Sequence, residues 1–324
     1  MRRREVIALA GAAAAWSLTA RAQQSAIPVV GYLSSKNEAA EAGITAAIRR
    51  GLAEQGFLGD RAVVFTYRWS EGDYTRLPQF AADLVDREVN VIAASGLPAA
   101  LAAKAATSRI PVVFRLAVDP VAFGLVQSLD HPGSNVTGVT MLFDPLTPKK
   151  LELLHEIIPA ASVGLLINPN NQNAASHREH AVRAAALLNL QLSILTVGRL
   201  EDLDAAFAAA RKKGVRALLV GDDPLFDTIN QQMVDTATRY RMPTMYYVRD
   251  FVLTGGLISY GPSFDEMSKQ VGIYIGRILQ GAEPAGLPVQ QPTKIELVIN
   301  AKAAKTLGIE VPPGILARAD QVIE

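Results

Sequence analysis

The residues equipped for chemistry are small, hydrogen-bonding groups in short loops, each following an apolar run. They are Ser34-Ser35-Lys36-Asn37, Ser95-Gly96-Leu97, Val118-Asp119-Pro120, Asn168-Pro169-Asn170-Asn171, Gly221-Asp222-Asp223 and Ser259-Tyr260-Gly261. Ser95-Gly96 precedes a helix expected from Pro98, so its hydroxyl and nearby backbone N–H groups suit a carboxylate, or else the serine caps its own helix. Asp119 and Asp222 suit an ammonium group, with capping as the alternative; Asp223, directly before Pro224, reads as a cap. The amides of "NPNNQN" serve a ligand or close an asparagine-rich turn. Arg115 lies in an otherwise apolar strand and either binds an anion or pairs with a carboxylate of the fold.

Bond-making machinery is hard to find. There is no nucleophile elbow, no glycine-rich phosphate loop with lysine and no dinucleotide fingerprint. The chain has no cysteine, which removes disulfides, thiolate chemistry and cysteine zinc sites. His177 and His180, three apart on an expected helix with Glu179 between them, read as a solvated helix face and not a metal pair. His131 reads as a turn residue, His155 as part of a helix, and Asn135-Val136-Thr137 as an incidental glycosylation match. No metal and no cofactor is expected. A hydrolase working through Asp119 and Asp222 is the remaining catalytic alternative.

These loops need a scaffold, and the apolar pattern supplies one. Short β-branched runs alternate with amphipathic stretches, as in α/β folds with parallel sheets. "IPVVGYLSS", "AVVFTYRW", "VNVIAAS", "IPVVFRLA" and "NVTGVTML" read as strands, with helices through Ile44, Ile48 and Leu52 and through Leu77, Phe80, Leu84 and Val85. The second half repeats the plan: "IPVVGYLSSKN" is answered by "SVGLLINPNNQN", "VNVIAASGLPAA" by "VRALLVGDDPLF", and "RIPVVFRLAVD" by "RMPTMYYVRDF". "GGLISYG" is a further strand, and "PSFDEMSKQVGIYIGRILQG" a helix with Phe264, Met267, Val271, Tyr274, Ile275 and Ile278 on one side. After a Pro- and Gly-rich stretch, "KIELVINAKAAKTLGI" adds a strand and a short helix. Two Rossmann-like lobes are expected, one built from 27–141 plus 262–290 and the other from 142–261 plus 291–324. Strand carboxyl ends carry the working loops of such sheets, so the polar loops would face one cleft.

Residues 1–22 have the layout of a cleaved export signal: Arg2-Arg3-Arg4, an apolar run from Val6 to Leu18, and Ala20-Arg21-Ala22 at the cut. Arg3-Arg4 before Glu5-Val6-Ile7 resembles the twin-arginine signature; a general secretory signal is the alternative. A periplasmic location is expected. The leader's four arginines and one glutamate, taken from 32 basic and 31 acidic residues, leave 28 and 30, a net charge near −2. That balance offers nothing to nucleic acid or an anionic membrane. Trp69 would then be the sole tryptophan, placed either at the cleft or as a packed edge residue.

"GLAEQGF", "EGDYTRLPQFAADLV", "LAAKAATSRIPVVF", "DPVAFGLVQSLDHPGSNVTGVT", "PKKLELLHEIIP", "LLINPNN", "TGGLISYG" and "LPVQQPTKIELVINAKAAKTLGI" together resemble a known family over nearly all of the mature chain. It is the tryptophan/tyrosine-type group of ABC transporter substrate-binding proteins, with the type I periplasmic binding protein fold. The resemblance implies two lobes joined by three crossovers, closing on a small molecule and delivering it to a membrane permease, as a monomer. It places the ligand site at Ser34, Ser35, Ser95, Gly96, Asp119, Asn168, Asn170, Asp222 and Tyr260, beside the independently noted Arg115. Leu97 and Arg115 depart from the family pattern. They leave a dicarboxylate, a modified amino acid or another small organic acid open beside an aromatic amino acid. A sensing module for a membrane signalling protein would have the same fold and site.

Overall fold

Continuous apolar runs become strands covered on both faces, because a parallel sheet carries helices on either side. The computed structural model describes residues 27–59, 62–159 and 162–324; the export-signal reading of 1–22 lies outside them. β1 (Val29–Ser34) is buried from Val30 onward and pairs in parallel with β2 (Val64–Trp69) and β3 (Val91–Ser95). β4 (Val112–Leu116) and β5 (Val136–Thr140) complete a sheet ordered β2-β1-β3-β4-β5. α1 (Glu38–Glu54) begins where the Asn37 side chain accepts the Ala40 N–H at 2.9 Å, and it buries Ile44, Ile48 and Leu52. α2 (Leu77–Asp86) and α3 (Leu97–Ala106) follow β2 and β3.

The second sheet is ordered β12-β11-β10-β9-β8-β6-β7. Its first strands are β6 (Ser162–Ile167), β7 (Gln191–Thr196), β8 (Ala217–Val220), β9 (Thr244–Tyr246) and β10 (Ile258–Pro262), all parallel. They alternate with α4 (Thr147–Ile157), α5 (Ala174–Leu187), α6 (Asp202–Lys212), α7 (Pro224–Thr228), α8 (Asn230–Arg239) and α9 (Asp250–Leu253). The chain then returns to the first sheet. α10 (Phe264–Leu279) packs on α1 so closely that a Cβ on Gly51 would lie 2.0 Å from the Lys269 carbonyl oxygen, and one on Gly272 2.0 Å from that of Ile48. Only glycines permit this approach.

Three passages therefore join the sheets: residues 141–146 after β5, the junction of β10 and α10, and residues 291–294. The last follows a bridge between Gln290 and Val139 and leads into β11 (Ile295–Asn300). Because β11 enters from the side where the other strands end, it runs antiparallel to β10. α11 (Ala301–Leu307), α12 (Pro313–Leu316) and β12 (Gln321–Ile323) finish the chain. The molecule is an α/β fold of two Rossmann-like lobes, as expected, with this one antiparallel pair modifying the parallel plan.

Candidate functional site

Register brings the first wall together. Ser34 pairs with Ser95, and Ser95 with Arg115, so the ends of β1, β3 and β4 set these residues side by side. Beneath them lies Glu41, in the first turn of α1 and wholly buried. Its carboxylate accepts from Tyr32 Oη at 2.5 Å, Ser34 Oγ at 3.1 Å and Ser95 Oγ at 2.8 Å. Lys36 Nζ and an Arg115 amine each lie 3.7 Å from Glu41 Oε1. Burial alone would push the Glu41 carboxyl up, but the Lys36 and Arg115 charges and the hydroxyl donors bring it below its ordinary range. Arg115 also donates to Ser95 Oγ at 2.9 Å and lies over the Phe264 ring, 4.5 Å from its centroid. Its Nε is buried and has no hydrogen-bond partner.

The second wall is anionic. Asp223 caps α7 by accepting the Leu225 N–H at 2.9 Å, as its place before Pro224 suggests. It also accepts from Asn168 at 2.9 Å and Asn171 at 2.5 Å, and burial raises its carboxyl to about 6. Asp222, next to it, has one carboxylate oxygen, Oδ1, that is buried without a hydrogen-bond partner. His177 stands behind Asp222. Its Nε2–H points to the Asp222 carbonyl at 3.1 Å, with Asp222 Oδ1 3.0 Å away but out of line, and Nδ1–H donates to Asp144 Oδ1 at 2.5 Å. Burial opposes charge on the ring, yet the Asp222 and Asp144 carboxylates raise its pKa to about 10. Lys150, buried nearby over Phe143, is lowered by burial to about 8 despite the same two carboxylates.

The walls meet across a closed cleft. Lys36 Nζ reaches Asp227 Oδ2 at 2.7 Å and Tyr74 Oη donates to Asp223 Oδ1 at 2.7 Å, while Asp227 is held from within its own lobe by Tyr247 Oη, which donates to Oδ1 at 2.6 Å. Gly96, at φ 92°, approaches Pro224 so closely that a Cβ would meet its ring at 3.0 Å. Between the walls is a cavity of about 40 Å³, lined by Lys36, Gly96, Leu97, Arg115, Leu116, Ala117, Val118, Asn171, Asn173, Asp222, Asp223, Pro224, Asp227, Tyr247 and Phe264.

Of the expected ligand-binding residues, Gly96, Arg115 and Asp222 line this cavity, together with Lys36, Leu97, Val118, Asn171 and Asp223 of the same polar loops. Ser34 and Ser95 stand one layer behind it, turned toward Glu41. Ser95 does not cap its helix; Ser35, on the neighbouring loop, accepts the Ala99 N–H at 3.2 Å instead. Asn168 is spent on Asp223 and on the Asn170 N–H. Three expected site residues lie elsewhere. Asp119 is exposed and accepts the Val121 N–H of its own turn at 2.8 Å. Asn170 is exposed and donates to the Gly198 carbonyl. Tyr260 packs against the apolar cluster of the second sheet.

His177 also corrects its sequence reading: it is buried between two carboxylates, whereas His180 is half-buried beside Asp144. Among the described residues no group of three or more histidine, aspartate or glutamate side chains could hold a metal ion. Trp69 lies off the cavity, stacked on Tyr67 and edge-on to Tyr32. Sequence reasoning passed over Glu41, Asp227, Tyr247 and Phe264. Their signal is faint: a lone acid in a helix's first turn, or an aromatic on a face that otherwise reads as core.

Comparison with known proteins places the chain in a family. Residues 37–323 match the model of the family described as ABC transporter substrate binding protein. A tyrosine-binding protein of Clostridioides difficile is 24% identical over 263 residues, 81% of this chain and 75% of its own length. A conserved domain protein from Vibrio cholerae superimposes with a TM-score of 0.85 at 29% identity, covering 92% of this chain and 100% of its own. An ABC domain from Streptococcus pneumoniae, in complex with L-Trp, gives 0.84 at 27% identity over 92% of this chain and 100% of its own. With two lobes closed over a charged cavity and a family match spanning almost every described residue, the chain belongs to the ABC transporter substrate-binding proteins.

Proposed function

We propose that this receptor binds a small zwitterion of the amino-acid class, its carboxylate on Arg115 and its ammonium on Asp222, and delivers it to an ABC permease. One observation carries the reading: opposite walls of one cavity present a guanidinium Nε and a carboxylate Oδ1 that are buried without a hydrogen-bond partner, Oδ1 having only the His177 ring 3.0 Å behind it. Unsatisfied buried groups of opposite sign are costly unless something completes them, and a zwitterion completes both. The relatives support the ligand class, since one is a tyrosine-binding protein and another holds L-Trp. Leu97, Leu116, Tyr247 and Phe264 offer the ligand's side chain an apolar boundary.

The bodies that close are 27–141 with 262–290 and 142–261 with 291–324, moving about the three passages. Residues 1–22 act as the export signal, and the mature chain works as a periplasmic monomer that returns its ligand unaltered. Among the described residues no helix is long and apolar enough to cross a membrane. The test is calorimetric titration of the unfolded and refolded mature chain with L-amino acids, each beside its amine and its des-amino acid. Binding of an amino acid near 1 μM, about −8.2 kcal/mol, is expected, with both analogues at least a hundredfold weaker. Equal affinity for the des-amino acid contradicts the role of Asp222, and chemical change of the ligand contradicts a receptor.

A further inference from the structure

Two buried side chains outside the cavity lining stand behind its charged walls in equivalent places. Glu41 is the fourth residue of α1, the helix after β1, and His177 is the fourth residue of α5, the helix after β6. Glu41 is 0% exposed and His177 7%. Their charges are opposite, and so are the groups they gather: Lys36 and Arg115 around Glu41, Asp222 and Asp144 around His177.

We propose that Glu41 and His177 are the positioning residues of the site, each a buried counter-ion that orients the ligand-facing group before it: Arg115 for the carboxylate, Asp222 for the ammonium. The inference rests on the zwitterion reading. A charge facing a closed cavity loses its water, and a fixed counter-ion behind it compensates that loss and keeps it aimed. The hydrogen bonds are divided accordingly. Ser95 Oγ donates to Glu41 and accepts from Arg115, which ties down the guanidinium's amine edge and leaves Nε free. His177 gives its Nε2–H to the main-chain carbonyl of Asp222, so Oδ1 feels the charge 3.0 Å away without being consumed by it.

Other groups around the ring complete the arrangement. Asp144 lies in the passage between sheets and also faces His180 at 3.5 Å and the Ser176 hydroxyl. The Asn173 amide nitrogen lies 2.9 Å from Nε2 and donates to the same Asp222 carbonyl at 3.4 Å, and Lys150 of α4 feels the charges of both Asp144 and Asp222. His177 thus connects the ammonium-facing carboxylate to a crossover that must flex when the lobes open.

The test uses E41Q and H177Q in the mature chain with three probes: L-tyrosine, tyramine, which lacks the carboxylate, and 3-(4-hydroxyphenyl)propionate, which lacks the ammonium. H177Q is expected to weaken L-tyrosine at least tenfold and to leave the propionate within twofold. E41Q is expected to weaken both carboxylate-bearing probes and to leave tyramine within twofold. Equal weakening of all three probes by either variant, or L-tyrosine binding unchanged by both, overturns the proposal. If a glutamine variant does not fold, S95A replaces E41Q and D144N replaces H177Q with the same expectations. Nitrogen-15 spectra of the ligand-free wild type give an independent reading: His177 should be doubly protonated at pH 8, and a neutral ring there overturns its role. Failure of wild-type protein to bind any zwitterion would instead remove the reading on which the inference rests.

Discussion

The two walls of the cavity solve one problem with opposite charges. In the first lobe, two cations reach forward from a single buried carboxylate; in the second, carboxylates reach forward with a buried imidazolium behind one of them. The first wall is rigid by register, because Ser34, Ser95 and Arg115 are neighbours on hydrogen-bonded strands. The second depends on loops, and its order comes from amide and tyrosine donors converging on Asp223. On the zwitterion reading, similar lobes hold a dipolar ligand in one direction, since reversing it would set like charges together at both ends.

Removing one wall's charge should break this contrast most severely. R115M is expected to lower affinity for a zwitterion by roughly two to three orders of magnitude, in line with about 2–5 kcal/mol for truncating one partner of a buried charge pair. Calorimetry would show it, while the amine analogue's affinity should change little. K36M attacks closure: it takes the cation from Asp227, whose Lys36 contact is 2.7 Å. Tyr247 still donates to Asp227, so the loss is that of one buried partner, about 1–3 kcal/mol. The lobes should then favour the open form, seen as a larger radius of gyration in solution scattering, with affinity reduced about ten- to hundredfold.

Y74F is a milder probe of the same closure. It removes one donor to Asp223 across the cleft and should lower affinity about threefold to tenfold, measured by titration, because Asn168, Asn171 and the Leu225 N–H remain. A further effect, on stability and not on affinity, is spread over pH. His177 has a pKa of about 10 in the fold against an ordinary 6.5, so its stabilisation is complete below about pH 6.5 and is lost as pH rises through about 10. The melting temperature of the wild type should fall along that alkaline limb, and H177Q should lack that component.

Much of the scaffold was legible because buried parallel strands are continuous apolar runs. The half-exposed edge strand β7, with Gln191, Ser193 and Thr196, and the short terminal β12 do not advertise themselves that way. The loops of the site were legible as a set, but not the direction of each side chain. Ser95 reads as either a ligand group or a cap because capping is local; that a serine on the neighbouring loop takes the N–H depends on register. Asp119 and Asn170 have the right chemistry, yet their own turns satisfy them. Glu41 is passed over in the sequence and His177 reads as part of a solvated helix face, and only the sheet beside each helix shows what they support.

The most direct measurement is a crystal structure of the mature chain grown with the amino acid that binds most tightly. The ligand's carboxylate should lie within hydrogen-bond reach of Arg115 Nε and its ammonium within reach of Asp222 Oδ1, with Glu41 and His177 in place behind them. A ligand bound in the reverse direction, or seated away from both walls, would contradict the account.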